Sequence, residues 1–238
     1  KAAPDVKLDY TFADTYVAYL HATGGTRLND FRQQNEESPY WGVINQMRTS
    51  YTPADLQVGF KASPLPGLGF HLFGGYRVTK DEIFHLYPDI TDTDFPYCYS
   101  LLMQEKAKVG YGGIKAAYGY KDIFDFSVGG TYYGWNVKDE AKVLLYLKPE
   151  FVLDASARAK VYDEFWISVA YRYEGRVKAG ELEKADAINN LSLSAGYEFF
   201  NSLNVFVRFN NLLNQDYITE AGYPVQGFNA MAGVSFRF

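Results

Sequence analysis

The chain has a single cysteine, Cys98, among 238 residues, which excludes an internal disulfide framework and a thiol-rich zinc motif. No run of about 18 apolar residues occurs anywhere, so transmembrane helices are excluded. Basic residues are outnumbered, 23 Lys and Arg against 28 Asp and Glu, for a net charge of -5. With a pI near 5.3 there is no basic footprint to receive nucleic acid. Helical periodicity is missing over any useful length, and nothing in the composition marks a linker or a second domain. The opening KAAPDVKLDY has no apolar h-region, which suits a mature or truncated product as well as a cytosolic one. Catalytic motifs are missing too. No G-x-S-x-G nucleophile elbow appears, and an enzyme is not expected.

What the chain does have is aromatic residues, 18% of the total, from 21 Tyr, 18 Phe and 3 Trp. Its mean hydropathy is -0.24, a value usual for soluble proteins. A membrane β-barrel reaches the same mean by alternating lipid-facing apolar residues with lumen-facing polar ones. Aromatic girdles at two membrane interfaces account for the Tyr and Phe load better than a soluble core does.

Alternation and turn signals predict about eleven strands, each long enough for a tilted membrane crossing. They lie near 4–12, 15–23, 53–62, 68–79, 105–120, 123–135, 148–161, 164–176, 191–199, 203–211 and the end of the chain. In LSLSAGYEF (191–199), Leu191, Leu193, Ala195, Tyr197 and Phe199 share one face, against Ser192, Ser194, Gly196 and Glu198. In LNVFVRFNN (203–211), Leu203, Val205, Val207 and Phe209 oppose Asn204, Phe206, Arg208 and Asn210. The terminal GFNAMAGVSFRF alternates to its last residue, with Ala232, Val234, Phe236 and Phe238 on one face. Connections alternate as well. Tight turns at 12–15, 63–67, 120–123, 161–164 and 199–202 are separated by long polar segments near 24–52, 80–104, 136–147, 177–187 and 218–227. Short turns on one rim and long loops on the other are the asymmetry of an outer-membrane barrel. The predicted fold is therefore an all-β antiparallel transmembrane barrel, one domain over 1–238.

Gly233, Phe236 and Phe238 resemble the C-terminal assembly signal of Gram-negative outer-membrane proteins, with Met231 departing from the polar residue usual there. The assembly machinery reads such a strand by edge pairing. Upstream, Asn211, Leu212, Asn214 and Tyr217, then Gly222, Tyr223 and Pro224, then GVSFRF resemble the last hairpin of TonB-dependent outer-membrane receptors (an NLxNxxY segment, a GYP loop and a closing GVSxRF). The segments at 56–76 and 147–161 are similar to barrel strands of that family. The resemblance implies a 22-stranded barrel of which these strands are the C-terminal half, with no plug domain among these residues. It implies TonB acting only through that plug, partner strands and outer-membrane lipid around the wall, and no cofactor. It also implies active uptake of a scarce nutrient too large for porins, in the outer membrane of a Gram-negative bacterium.

Strand parity bears on the same question. Single-chain bacterial barrels have even strand numbers with both ends in the periplasm. Counting eleven back from Phe238 puts Lys1 at an outer loop, which fits a piece cut within that loop. A true count of ten or twelve fits the alternative, a small self-contained barrel with a structural or assembly role.

The long loops are the expected ligand-contacting segments, because structureless loops of more than about 12–15 residues are usually functional or disordered. Arg27, Arg32, Tyr40 and Trp41 in the first and His85, Tyr87, Tyr97 and Tyr99 in the second are the candidates, since Arg and aromatic side chains are common binding anchors. The same aromatics serve equally to pack the loops together. Other chemistry is weakly supported. His21 and His71 fall on strands as lumen or girdle residues. FRQQN at 31–35 keeps only the Phe-Arg of the family's haem box. The run Asp89, Thr91, Asp92, Asp94 lacks the glycine and closing glutamate of a calcium loop, so no metal is expected. A membrane-embedded hydrolase would need Ser and His paired in space. On the lumen side Glu198, Arg208, Asn210 and Arg237 are expected to form a polar wall.

Overall fold

The computed structural model describes residues 2–42, 47–87, 100–200 and 202–236. Its strands are β1 (Asp5–Phe12), β2 (Tyr16–Arg27), β3 (Ser50–Leu65), β4 (Leu68–Leu86), β5 (Leu101–Tyr120), β6 (Phe124–Asn136), β7 (Pro149–Lys160), β8 (Phe165–Arg176), β9 (Ile188–Phe199), β10 (Leu203–Asn210), β11 (Ile218–Glu220), β12 (Tyr223–Pro224) and β13 (Asn229–Phe236). Eleven of them form one antiparallel meander in the order β1 to β10 and then β13, while β11 and β12 make a two-stranded ribbon in the last loop. Among the described residues β1 and β13 are each paired on one side only. The sheet is thus eleven-stranded and open, as half a barrel is, and not a closed ten- or twelve-stranded barrel. Phe238 and Arg237 lie outside the described residues.

Register shows why the alternation matters. Val6, Leu8, Tyr10 and Phe12 stand opposite Ala22, Leu20, Ala18 and Tyr16, and those stand opposite Leu56, Val58, Phe60 and Ala62. The apolar face continues strand by strand to Val205 and Val207 against Val234 and Ala232. Its side chains are exposed: Leu72 and Ile114, opposite one another, are 57% and 56% accessible. An apolar surface of that extent is stable only against lipid. At the rim of short turns it ends in rings, where Phe12, Tyr16 and Phe60 stack at centroid distances of 5.5 to 6.1 Å.

The other face is polar and unusually rich in one pairing. Tyr19 lies over Gly59, Phe73 over Gly113, Tyr111 over Gly75, Trp166 over Gly196 and Phe206 over Gly233. Each pair is directly opposite in register on neighbouring strands. The ring covers backbone that the glycine leaves bare, and the missing Cβ leaves the space that the ring occupies. Gly233 of the expected assembly signal therefore has a packing role, as the seat for the Phe206 ring. Gly67 differs in kind. Its φ of +80° closes the β3–β4 turn, and a Cβ would sit 2.0 Å from the Gly119 carbonyl oxygen.

Strands β4 and β5 are 19 and 20 residues long, against about 9–11 needed to cross a bilayer. The excess projects past the loop rim and carries the buried core. Phe84 and Ala107 pack there with Ala141, Leu144, Leu145 and Ala179, and Tyr87 packs with Leu147 and Ala221. Two helical turns differ from the expectation of none. A 3-10 helix at Asp139–Leu145 buries Ala141, Leu144 and Leu145 into that core. An α-helix, α1 (Phe31–Glu37), begins at Asp30, whose side chain accepts the backbone N–H of Gln33. The Asp-x-x-Gln spacing is a capping-box signature legible in the sequence.

Candidate functional site

Among the described residues, parts of the five long loops meet at the rim above β4 and β5, and the arrangement is built from buried polar residues as well as apolar ones. In the fifth loop Asn211 and Asn214 both take left-handed backbone conformations, φ 49° and 46°, which Asn tolerates better than most residues. Asn211 Nδ2 donates to the carbonyls of Gln215 and Gln226 while its Oδ1 accepts from Gln215 N. Asn214 Oδ1 accepts from Phe228 N. These two amides hold the loop's shape, and Tyr217 is buried beneath it. That is the physical content of the Asn-Leu-Leu-Asn-x-x-Tyr motif.

A ladder of alternating charge climbs the wall into this cluster. Arg172 Nη1 is 2.9 Å from Asp154 Oδ1, and its Nη2 is 2.6 Å from Glu174 Oε2. Glu174 Oε1 in turn accepts from Arg176 Nη1 at 2.6 Å. Residues 172, 174 and 176 share one face of β8 because strand side chains repeat every two residues. Arg176, only 4% exposed, also donates to the carbonyls of Leu147 and Ile218 at 2.5 and 3.1 Å. One planar guanidinium thus joins β8, the third loop and the fifth loop. Nearby, Glu105 on the projecting part of β5 is held below the usual carboxylate range. Its acceptance of the backbone N–H of Lys106 is the largest cause; burial opposes it, and pairing with Lys138 at 3.3 Å adds to the lowering.

The candidate ligand residues fall into two groups. Tyr40, Trp41, His85 and Tyr87 converge on the start of β5. The Tyr40 carbonyl accepts from Ser100 N at 2.8 Å, and its ring stacks on Tyr223 with centroids 3.8 Å apart. Trp41 bridges to Ser100 and stacks on Phe31 at 5.6 Å, 5° from parallel. His85 Nδ1 lies 2.7 Å from Ser100 Oγ, and Tyr87 donates to Glu220 at 3.2 Å. His85 and Tyr87 are buried, so both lie within the loop packing. The His85–Ser100 contact is the Ser–His pairing a hydrolase requires, and both residues are buried.

Arg27 and Arg32 belong to the outer group. Arg27 pairs with Glu82 at 3.0 Å at the end of β2. Arg32 projects from α1, its side chain 88% exposed and, among the described residues, paired along the helix to Glu36. Beside it Leu28 and Phe31 are 71% and 65% exposed. Neither was a candidate from the sequence; the capping signature that places Phe31 on a helix was the available clue. Tyr97, Tyr99 and the Asp89–Asp94 run lie outside the described residues.

The Tyr40–Tyr223 stack ties the first loop to the fifth. Tyr40→Ala is expected to cost about 1 kcal/mol and to speed limited proteolysis within residues 28–49, whereas Tyr40→Phe leaves the rate unchanged.

No protein-family model and no curated protein matches the chain by sequence. Solved structures match it by fold. The copper transporter OprC superposes with a TM-score of 0.69 at 15% identity, covering 97% of this chain and 39% of that one. The pyoverdine outer-membrane receptor FpvA from Pseudomonas aeruginosa PAO1 gives 0.68 at 18%, covering 99% and 36%. The ferric-catecholate import receptor Fiu from E. coli K12 gives 0.68 at 15%, covering 98% and 34%. The chain therefore spans little more than a third of the length of these structures, and at such identities the likeness is one of fold. Its eleven strands have the fold of part of the barrels that these transporters and receptors share.

Proposed function

We propose that the chain is wall and capture loops of an active-uptake receptor in the outer membrane of a Gram-negative bacterium, taking in a scarce nutrient. The observation that carries this is the open, two-faced sheet with an interlocked loop rim, matched over nearly its whole length by receptor barrels. The solved neighbours are named for copper, pyoverdine and ferric-catecholate, which favours a metal or its chelate as the substrate class here. Capture falls to the exposed part of the first loop, where Leu28, Phe31 and Arg32 stand clear of the packed rim and Trp41 backs Phe31. His85, Tyr87 and Tyr40 act by holding that surface in place. Transport itself requires a plug on which TonB pulls, together with the remaining strands of the barrel.

The test is the composition of the detergent-solubilised particle purified from outer membranes through this chain. Intact mass and N-terminal sequencing are expected to find plug-bearing polypeptide with it, in equal amount or as one longer chain. A particle of this chain alone and monomeric overturns the proposal.

A further inference from the structure

The apolar face of the wall carries almost no charge. From the turns up to the first bulges of the loop rim, the outward-facing register positions of the eleven strands hold one charged side chain, Lys108 on β5. It stands opposite Val78 of β4 on one side and Asn136 of β6 on the other. Two more lysines adjoin it. Lys80 lies two residues past Val78 and Lys106 two before Lys108, so alternation brings both to the same face, and both are exposed. A bulge sets Lys80 and Asp81 against Lys106 alone. Spacings along and across strands place the three Cα atoms roughly 5–8 Å apart, within reach of one headgroup for side chains as long as lysine.

Among the described residues none of these three lysines joins an ion pair. The carboxylates at this end of β4 and β5 are engaged by other cations. Asp81 pairs with Arg48 at 3.0 Å, Glu82 with Arg27 at 3.0 Å and Glu105 with Lys138 at 3.3 Å. A lysine at the edge of a hydrocarbon band extends toward the headgroup level, and here three like charges do so at one spot. An anion that meets all three relieves their repulsion, and a phosphate ester offers each a charge-assisted hydrogen bond.

Beneath the lysines the same face is bare. Tyr76, Gly110 and Gly134 follow one another across β4, β5 and β6, and Gly74, Gly112 and Tyr132 do so at the next level. A Cβ at any of these four glycines would meet nothing nearer than 3.6 Å. Tyr76 and Tyr132, 46% and 54% exposed, thus flank a shallow slot of uncovered backbone that leads up to Lys108. It is one or two strand spacings across, ~5–10 Å, the scale of an acyl chain.

We infer that this sector of the wall seats one phosphorylated acyl lipid of the outer leaflet, its phosphate on Lys80, Lys106 and Lys108 and its hydrocarbon over the slot. The inference requires that the apolar face meets lipid and that the loop rim faces outward; it goes beyond uptake and holds whatever the substrate. The protein is tested as the whole particle extracted from outer membranes, with every polypeptide that accompanies this chain. After delipidation in neutral detergent, native mass spectrometry follows the binding of lipid A, an acylated disaccharide with two phosphates. The expected result is one lipid bound ahead of all others, and more weakly as salt rises from about 50 to 300 mM. Lys80→Gln with Lys106→Gln and Lys108→Gln should weaken that first binding at least about fivefold, while Arg at the same three positions retains it. Lys142→Gln with Lys178→Gln and Lys184→Gln removes as much charge from other loops of the rim and should change nothing. Gly110→Leu with Gly134→Leu fills the slot and should weaken binding about threefold with its salt dependence intact.

Equal binding of dephosphorylated lipid A, or no loss in the triple Gln particle, overturns the inference. So does displacement of lipid A by millimolar inorganic phosphate, which would mark a site for a free anion. Unchanged affinity with the slot filled does the same, because the lysines would then gather lipid without seating it. Retention in the Arg variant shows that the loss in the Gln variant is one of charge and not of fold.

Discussion

Gly113→Ala is expected to destabilise the barrel wall by about 2–3 kcal/mol, at the upper end of overpacking costs. A Cβ at this position would lie 2.5 Å from the Gly130 carbonyl oxygen, 2.8 Å from the Phe73 ring and 2.9 Å from Thr131 Oγ1. The first of these is backbone of the neighbouring strand and can yield only if the ladder moves. Gly59→Ala makes the instructive contrast. Its Cβ would meet side-chain atoms of Tyr19 at 2.3 to 2.5 Å, closer still, but a side chain yields more readily than a strand ladder, here at the expense of the Tyr19–His71 hydrogen bond. We expect about 1 kcal/mol there. Tyr19→Ala should relieve most of that cost in a double-mutant cycle, while Phe73→Ala relieves only part of the cost at Gly113. Urea titrations of the detergent-solubilised particle, followed by tryptophan fluorescence, measure all four terms. A neutral Gly113→Ala would mean that the neighbouring strand yields at Gly130 without cost.

Arg176→Met is the other large effect, and it is local. The substitution leaves Glu174 with Arg172 as a partner, but it strips the Leu147 and Ile218 carbonyls of a buried donor. Removing one member of such a network typically costs about 3 kcal/mol or more, because the groups left behind stay buried. Amide exchange within residues 145–149 and 216–220 should accelerate about a hundredfold, while β6–β9 below the rim keep their protection. Arg176→Lys should recover little, since an ammonium cannot serve two carbonyls and a carboxylate with the fixed fork of a guanidinium. Unchanged exchange in both segments would show that apolar packing alone holds the loops.

The strands were legible because lipid on one side and a polar lumen on the other impose a period of two. Where that period breaks, sequence boundaries fall short. β4 runs on through Leu86, seven residues past its expected end at 79, because a bulge at Thr79–Glu82, with Asp81 at φ 56°, shifts the phase. β2 extends through Arg27 by the same device at Gly25. The loop aromatics were legible as candidates, but their partners were not. Tyr40 meets Tyr223 and Tyr87 meets Glu220 across 133 residues of sequence. Such contacts depend on how loops from distant strands lean over a curved rim, and local pattern carries no record of that. Two buried residues in the loop cluster therefore looked the same in sequence as the exposed Arg32.

The placement of the indoles gives the molecule its own optical markers. Trp166 sits beside the turns with the Arg158 guanidinium 4.5 Å above its ring, a contact that perturbs indole emission. Trp135 stands at the opposite end of the wall, donating its N–H to the Pro149 carbonyl at 2.8 Å, and Trp41 rides on the first loop against Phe31. With only three tryptophans in the chain, variants retaining one each turn a refolding experiment into three separate clocks, one for each end of the wall and one for the first loop. The order in which they stop tells whether the membrane-spanning ladder closes before its outer cap, or waits for it.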